Sequence, residues 1–354
     1  MRSRLVSTVL AAFGCALLWL TATTWLPVWA EEEVASLTVP AKKIPVPNTV
    51  SPELQKFIAA PVPGVAPMPA TADAWRELQR TRDAAAAKRA RAIAKALGAT
   101  IEKTRVGGVH CYRVIPEEVA AEHEKRLLVH VHGGAYVFNG GEAATWEALL
   151  VAHACRTRVL SVDYRMPPDH PFPAALDDAV AVWKTLLADH DPKRMALFGT
   201  SAGGGLAMAT VLRLKEFKLA LPAVMFVGTP ASDCSKTGDS LFLNAEVDSS
   251  LGRYEGAVED CLKLYAAGRD LKDPLLSPVY GDLAGFPPTV LISGTRDLML
   301  SATIRAHRKL RKAGVAAELH IYEGQSHGHY LLPSPESLDA LNEIAQFFDT
   351  HLER

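Results

Sequence analysis

Leu197-Phe198-Gly199-Thr200-Ser201-Ala202-Gly203-Gly204-Gly205 decides how this chain is read. It runs from a short apolar strand into G-x-S-x-G and then into a helix. A serine placed there sits on a turn so tight that neighbouring side chains do not fit, and Gly199 and Gly203 remove them. The helix opening at Ala202 aims its free N–H groups and positive dipole end at the hydroxyl. A serine hydroxyl is a weak nucleophile at neutral pH, so the motif carries chemistry only with a base and an anion-stabilising site elsewhere.

Both are present. The apolar run at Pro288–Ser293 ends in Gly294-Thr295-Arg296-Asp297, which places a carboxylate at a strand's carboxyl end. The next apolar run leads into Gly324-Gln325-Ser326-His327-Gly328-His329, a loop free to turn an imidazole inward. His327 is the expected base and His329 its rival two residues on. The chain order Ser201, Asp297, His327 is the order such sheets use. Upstream, Leu127–His132 runs into Gly133-Gly134-Ala135-Tyr136, whose backbone N–H groups join that of Ala202 as expected oxyanion donors. Tyr136 and Phe138 follow as candidate substrate contacts, with core packing as their alternative. Spacing alone thus points to a serine hydrolase.

Working outward, apolar runs at Leu127–Val131, Val159–Val162, Met195–Phe198, Val224–Val227, Thr289–Ile292 and Leu319–Tyr322 read as strands buried on both faces. Helical stretches fall near Ala143–Arg156, Ala174–His190, Ala202–Lys215, Ala302–Ala313 and Glu336–His351. Such alternation predicts an α/β fold with a mostly parallel central sheet and helices on both faces. The segment from about Asp233 to Asp273 interrupts it and reads as a helical lid insertion. Residues 31–98 form an N-terminal part: a proline-rich stretch to about Ala70, then a helix from about Ala72 to Leu97, with Thr71 as N-cap and Gly98 as stop. Trp75, Leu78, Ala85, Ala92 and Ile93 are its expected apolar face, and its Arg and Lys residues a solvated one. The catalytic part is expected over 99–354.

The chain has 354 residues, 49% hydrophobic and 22% charged, with a formal net charge of −1. That balance gives no reason to expect nucleic acid or an anionic membrane as partner. No obligatory protein partner and no cofactor is read from the sequence, and the oligomeric state is not legible in it. Arg2 and Arg4 before an apolar run from Leu5 to about Leu20, with Val28-Trp29-Ala30 ahead of Glu31, outline a signal peptide over 1–30. Export after cleavage near Ala30 is the expectation, an uncleaved N-terminal membrane anchor the alternative. Of five cysteines, Cys15 leaves with that segment. Cys234 and Cys261 are the first pair to consider for a disulfide among Cys111, Cys155, Cys234 and Cys261, against four buried thiols.

The combination resembles the hormone-sensitive-lipase-like, or bacterial family IV, branch of the α/β-hydrolases. His132-Gly133-Gly134-Ala135 is similar to that branch's His-Gly-Gly-Gly oxyanion motif. Asp163-Tyr164-Arg165-Met166-Pro167-Pro168-Asp169-His170-Pro171-Phe172-Pro173-Ala174-Ala175 resembles its Tyr-Arg-Leu-Ala-Pro-Glu-His-Pro-Phe-Pro-Ala-Ala stretch. The resemblance spans about Arg126 to His329 and implies an α/β-hydrolase fold and hydrolysis of small-molecule esters of short to medium acyl chain, with lactones or acetylated small molecules as alternatives. Thr200 stands where many relatives carry Asp, as in a Gly-Thr-Ser-Ala-Gly subgroup. Ala135 replaces a glycine and is tolerable at negative φ. Ser301 and His329 replace an acidic and an aromatic residue.

Two rivals remain. His130 and His132, and again His327 and His329, are spaced i, i+2, which suits a zinc site, but no carboxylate motif accompanies them. A non-catalytic ligand-binding protein of the same fold would be expected to lack the base. Asp163, Tyr164 and Arg165 read as turn-holding residues and Trp146 as helix packing.

Overall fold

The apolar runs between residues 127 and 322 become the parallel strands of one sheet in a computed structural model of the chain, which describes residues 36–64 and 67–353. The signal segment and Cys15 lie outside the described residues. Residues 36–44 contain no helix or strand. Pro45–Arg354 is one compact unit. Among the described residues no helix is long and apolar enough to cross a membrane.

The strands are β1 (Thr100–Val106), β2 (Val109–Ile115), β3 (Leu127–Val131), β4 (Val159–Val162), β5 (Met195–Thr200), β6 (Val224–Gly228), β7 (Thr289–Gly294) and β8 (Ala317–Tyr322), in the order β1-β2-β4-β3-β5-β6-β7-β8. β2 is antiparallel to β1 and β4, and all other pairings are parallel. The helices are α1 (Pro52–Ile58), α2 (Ala72–Ala96), α3 (Thr145–Cys155), α4 (Ala174–Leu186), α5 (Ala202–Glu216), α6 (Ser240–Leu243), α7 (Glu259–Ala266), α8 (Leu300–Lys312) and α9 (Pro335–His351).

Central strands bury alternate residues into two cores, as expected of a sheet covered on both sides. Phe198 and Phe226 join Leu149 of α3 and Phe348 of α9 on one face. Leu197 and Met225 join Trp183 of α4 and Leu206 of α5 on the other. Each fully buried side chain of this size contributes roughly 1.5–3 kcal/mol. The edge strand β8 departs from the expectation, because only Ala317 of its six residues is fully buried.

Three elements differ from the sequence reading. The β1–β2 hairpin was not expected, since β1 is largely exposed and has no continuous apolar run. Its signal is Gly107-Gly108, both at positive φ (58° and 82°), the residues a two-residue hairpin turn demands. α1 lies inside the proline-rich stretch. Ser51 caps it by accepting from the Leu54 N–H (3.1 Å), with Pro52 in its first turn. Ser51 also donates from its N–H (2.6 Å) and its hydroxyl (2.7 Å) to Glu336, which ties α1 to α9. α2 has its predicted ends, with Thr71 accepting from the Ala74 N–H at 3.3 Å, but its buried residues are Trp75, Ala90 and Ala94. Of the predicted face, Trp75 is buried and Leu78 and Ile93 pack against the core, while Ala85 and Ala92 are exposed, and Ala90 and Ala94 take their place inward.

The interrupting segment at 233–273 is less helical than expected. It holds the four-residue α6, a turn at Tyr254–Val258 and the eight-residue α7. Cys111, Cys155, Cys234 and Cys261 are all free and buried, so no Cys234–Cys261 disulfide forms. Cys234 donates to the Leu276 carbonyl (3.1 Å), while Cys261 sits in a small cluster with Trp75, Val137 and Phe138.

Candidate active site

Ser201 stands between β5 and α5 with φ 61° and ψ −124°, a conformation L-residues rarely adopt. Surrounding bonds hold it there: its N–H donates to the Gly228 carbonyl (2.8 Å), and its own carbonyl accepts from Ala231 (2.9 Å) and Gly205 (3.0 Å). A side chain at Gly199 or Gly203 would fall on the Val131 carbonyl at the end of β3. These glycines therefore permit close approach of the neighbouring strand end as well as the sharp turn.

That strand end begins the glycine loop. Gly134, Ala135 and Tyr136 take φ values of 117°, 55° and 63° in succession. Ala135 is thus left-handed, contrary to the negative φ expected of it, and the tight loop imposes this strain on a non-glycine residue. The loop's carbonyls are held from behind. The Gly133 carbonyl accepts from His132 Nδ1 (2.8 Å) and Asn139 Nδ2 (3.1 Å), and the His132 carbonyl from the Tyr164 hydroxyl (2.7 Å). The Gly134 carbonyl accepts from Val137 (3.0 Å) and Phe138 (2.9 Å). In a trans peptide the N–H points opposite the C=O, so the Gly134 and Ala135 amides lie on the edge away from these bonds. Gly133, Gly134, Ala135, Ala202 and Ser201 border one cavity of about 600 Å³.

His327 borders the same cavity. Its Nδ1 lies 3.0 Å from Asp297 Oδ1, and among the described residues its buried Nε2 has no partner. Asp297 is fully buried. It also accepts from the Met299 N–H (2.8 Å, Oδ1) and the Ser293 hydroxyl (2.5 Å, Oδ2), so its carboxylate cannot turn away. Burial disfavours an imidazolium at His327. The charge and hydrogen bond of Asp297 and the charge of Asp248 outweigh this, and its pKa lies above the ordinary 6.5. His329 is placed differently: its Nε2 approaches the Ser249 hydroxyl (3.3 Å), and burial, with the nearby His327 charge, lowers its pKa to about 4.

Asp248 escaped the sequence reading. It belongs to the interrupting segment and is fully buried. Oδ1 accepts from the N–H groups of Ser250 (2.8 Å) and Leu251 (3.1 Å), and Oδ2 from Leu298 (2.8 Å). The His327 N–H lies 3.4 Å from both oxygens. One carboxylate therefore joins the covering segment to the Asp297 loop and the His327 loop. Burial and the charge of Asp297 raise its pKa, against the pull of His327 and of those N–H groups. An Asp two residues before the run Ser250-Leu251 has no motif around it, so only the fold reveals its place.

Behind Ser201 runs a second buried network. Thr200 Oγ1 donates to Glu147 Oε1 (2.5 Å) and therefore accepts from the Tyr330 hydroxyl (2.5 Å). Glu147 Oε2 meets His130 Nε2 (3.0 Å), and His130 Nδ1 meets the Ser161 hydroxyl (2.9 Å). This gives Thr200 a physical meaning, because an Asp there would set two carboxylates against each other. His132 is separate, stacked on Tyr164 with ring centroids 4.0 Å apart; burial lowers its pKa to about 3.

Of the two candidate contacts, Phe138 borders the cavity. Tyr136 does not: it is buried and stacked on Tyr265 with ring centroids 4.0 Å apart, because its positive φ turns the side chain into the core. Trp146 packs against the core around α3, as expected, and also borders the cavity. Asp163 accepts from the Gly141 N–H (2.8 Å), and Arg165 pairs with Asp178 (2.8 Å), so these residues hold their turn as read. The Ser301 replacement also has a role, since Ser240 and Ser301 exchange hydrogen bonds at 2.9 Å and fasten α6 to α8.

A family model described as the alpha/beta hydrolase fold matches residues 128–331. An esterase of Acinetobacter venetianus is 33% identical over 239 residues, which cover 65% of this chain and 77% of that protein. The crystal structure of an esterase superposes with a TM-score of 0.87 at 46% identity, covering 90% of this chain and 99% of the other. The crystal structure of an esterase from the bacterial hormone-sensitive lipase family gives a TM-score of 0.71 at 30% identity, covering 85% and 99%.

Proposed function

The chain belongs to the α/β-hydrolase family, in its hormone-sensitive-lipase-like branch, and on that premise we propose how it hydrolyses carboxylic esters. Ser201 Oγ attacks the ester carbonyl while His327 Nε2 takes its proton. Asp297 holds the imidazole by its Nδ1–H and stabilises the imidazolium that forms. The carbonyl oxygen becomes an oxyanion, received by the amide N–H groups of Gly134, Ala135 and Ala202, with Gly133 admitting the close approach. Collapse breaks the bond to the alkoxide, which leaves as alcohol with the proton from His327. A water then attacks the acyl-serine, His327 accepting its proton and returning it to Ser201. The acid is released and the enzyme restored.

The observation that carries this reading is the 3.0 Å contact between Asp297 and His327 beside a cavity that Ser201 also borders. The cavity, about 600 Å³, suits acyl groups of short to medium length.

Ser201→Ala tests the assignment. We expect it to fold and to lose turnover of nitrophenyl acetate and butyrate, by on the order of 10⁴-fold or more. A fluorophosphonate should label the native protein at Ser201 and leave the variant unmodified. Retained turnover, or labelling elsewhere, would refute it.

A further inference from the structure

α2 carries five arginines, Arg76, Arg80, Arg82, Arg89 and Arg91, and they fall into two groups. Arg76 pairs with Asp73 and Asp169, Arg80 with Glu77, and Arg91 with Glu142. None of these three borders the catalytic cavity. Arg82 and Arg89 both border it, and among the described residues neither has a carboxylate partner. They lie seven residues apart, two turns along one side of the helix. Each guanidinium instead rests on an aromatic ring of the cavity wall: Arg82 over Phe138 (4.6 Å) and Arg89 over Trp146 (4.8 Å).

A guanidinium held over a ring by cation–π attraction engages no acceptor there, so its N–H groups stay available to bind carboxylate or phosphate, which a fork-shaped donor does in a bidentate way. The ring contact also restricts the side chain, so less freedom is lost when an anion binds. The carboxylates borne by the cavity wall do not neutralise them. Glu147 is engaged by Thr200 and His130, and Glu255 by Lys236. The entrance under α2 therefore presents two positive charges with no acidic partner.

We propose that this entrance selects esters bearing an anionic group, a carboxylate or a phosphate, on the part of the substrate that extends from the reacting carbonyl toward α2. The proposal rests on the ester-hydrolase reading above and narrows its substrate class.

The test is a set of matched esters: monoethyl adipate, the neutral ethyl ester of adipamic acid, and ethyl 4-phosphonobutanoate, followed by release of ethanol. At low ionic strength the native protein should prefer the carboxylate ester over the amide by about three- to tenfold in kcat/KM, the scale of partly exposed charge pairs, mostly through KM. The phosphonate should likewise exceed the amide, and the better of the two anions identifies the group preferred. Arg82→Gln with Arg89→Gln should bring these ratios toward one. Should the double variant fail to fold, salt serves instead, because screening shortens to about 3 Å at 1 M and the native preference should vanish there. A native ratio of one or below, a preference kept by the folded double variant, or a preference that persists at 1 M salt, overturns the proposal. The neutral ester separates the two readings: its hydrolysis, absent in Ser201→Ala, upholds ester hydrolysis whatever the anionic ratio shows.

Discussion

The carboxyl edge of the sheet and the segments that cover it border the same cavity, yet they hold their residues in place by different means. Ser201 directly follows β5, Gly133 comes two residues after β3, and Asp297 three residues after β7. Their positions follow from the strands, which are locked by parallel pairing and burial on both faces. Asp248, Arg82 and Cys261 come from segments outside the sheet, which strand pairing does not position. The interrupting segment is tied down by side-chain bonds, such as those of Asp248 and the pair Ser240 and Ser301, and α2 by the packing of Trp75, Ala90 and Ala94. Chemistry on the sheet edge should therefore fail abruptly when one group changes, and the cover should yield by degrees.

The sharpest way to break that contrast is Asp297→Asn. The amide presents an N–H where His327 Nδ1–H needs an acceptor, so the imidazole is stabilised in the wrong tautomer. Turnover should fall on the order of 10⁴-fold with folding retained. Steady-state kinetics and a thermal melt check both halves. A loss under about tenfold would mean that the carboxylate at Asp248 substitutes for it, and the two regions would no longer be distinct in kind.

Asp248→Asn sharpens the same comparison with a smaller effect. The substitution keeps the shape but removes the charge and turns one acceptor into a donor facing backbone N–H groups. We expect kcat/KM to fall on the order of tenfold, the scale of one lost charge-assisted bond. The pH profile distinguishes positioning from mere scaffolding. His327 must be neutral to accept the serine proton, so activity rises as pH climbs through its pKa. That pKa is raised, so the acid limb of native kcat/KM should centre above 6.5. Without the Asp248 charge the imidazolium is less stabilised, and the limb should move to lower pH. A limb that stays put while activity drops would make Asp248 a structural tie only.

This division also explains what was legible in the sequence. Ser201, Asp297, His327 and the Gly133–Ala135 loop announce themselves because glycines and polar residues must interrupt apolar strands where they end. The same logic identified six of the eight strands; it missed β1 because an exposed edge strand needs no apolar run, and β2 because His110 and Arg113 interrupt its apolar residues. His327 could be separated from His329 only by the Asp297 contact, since both follow the same strand. The left-handed φ of Ala135 is not legible in the motif, because the loop's three consecutive positive φ values belong to a fold whose flanking carbonyls are held by Asn139 and Tyr164, residues outside it. The cover was least legible. An alanine-rich helix offers several similar faces, and α2 chose the one that seats Trp75, Ala90 and Ala94.

The smallest expected effect concerns two neighbours at the junction of the regions. Tyr136 and Phe138 are two residues apart on the loop that carries the oxyanion donors, yet only Phe138 borders the cavity. Tyr136→Phe keeps the ring stacked on Tyr265 and removes only a hydroxyl near Gly205. It should change stability by about 1 kcal/mol or less and leave KM within about twofold. Phe138→Ala removes a cavity wall and the ring beneath Arg82, so KM should rise several-fold with kcat nearly kept, the signature of lost binding common to ground and transition states. Equal effects in the two variants would show that the loop moves as one body. A difference confined to Phe138 would place the boundary between catalytic edge and cover inside this loop.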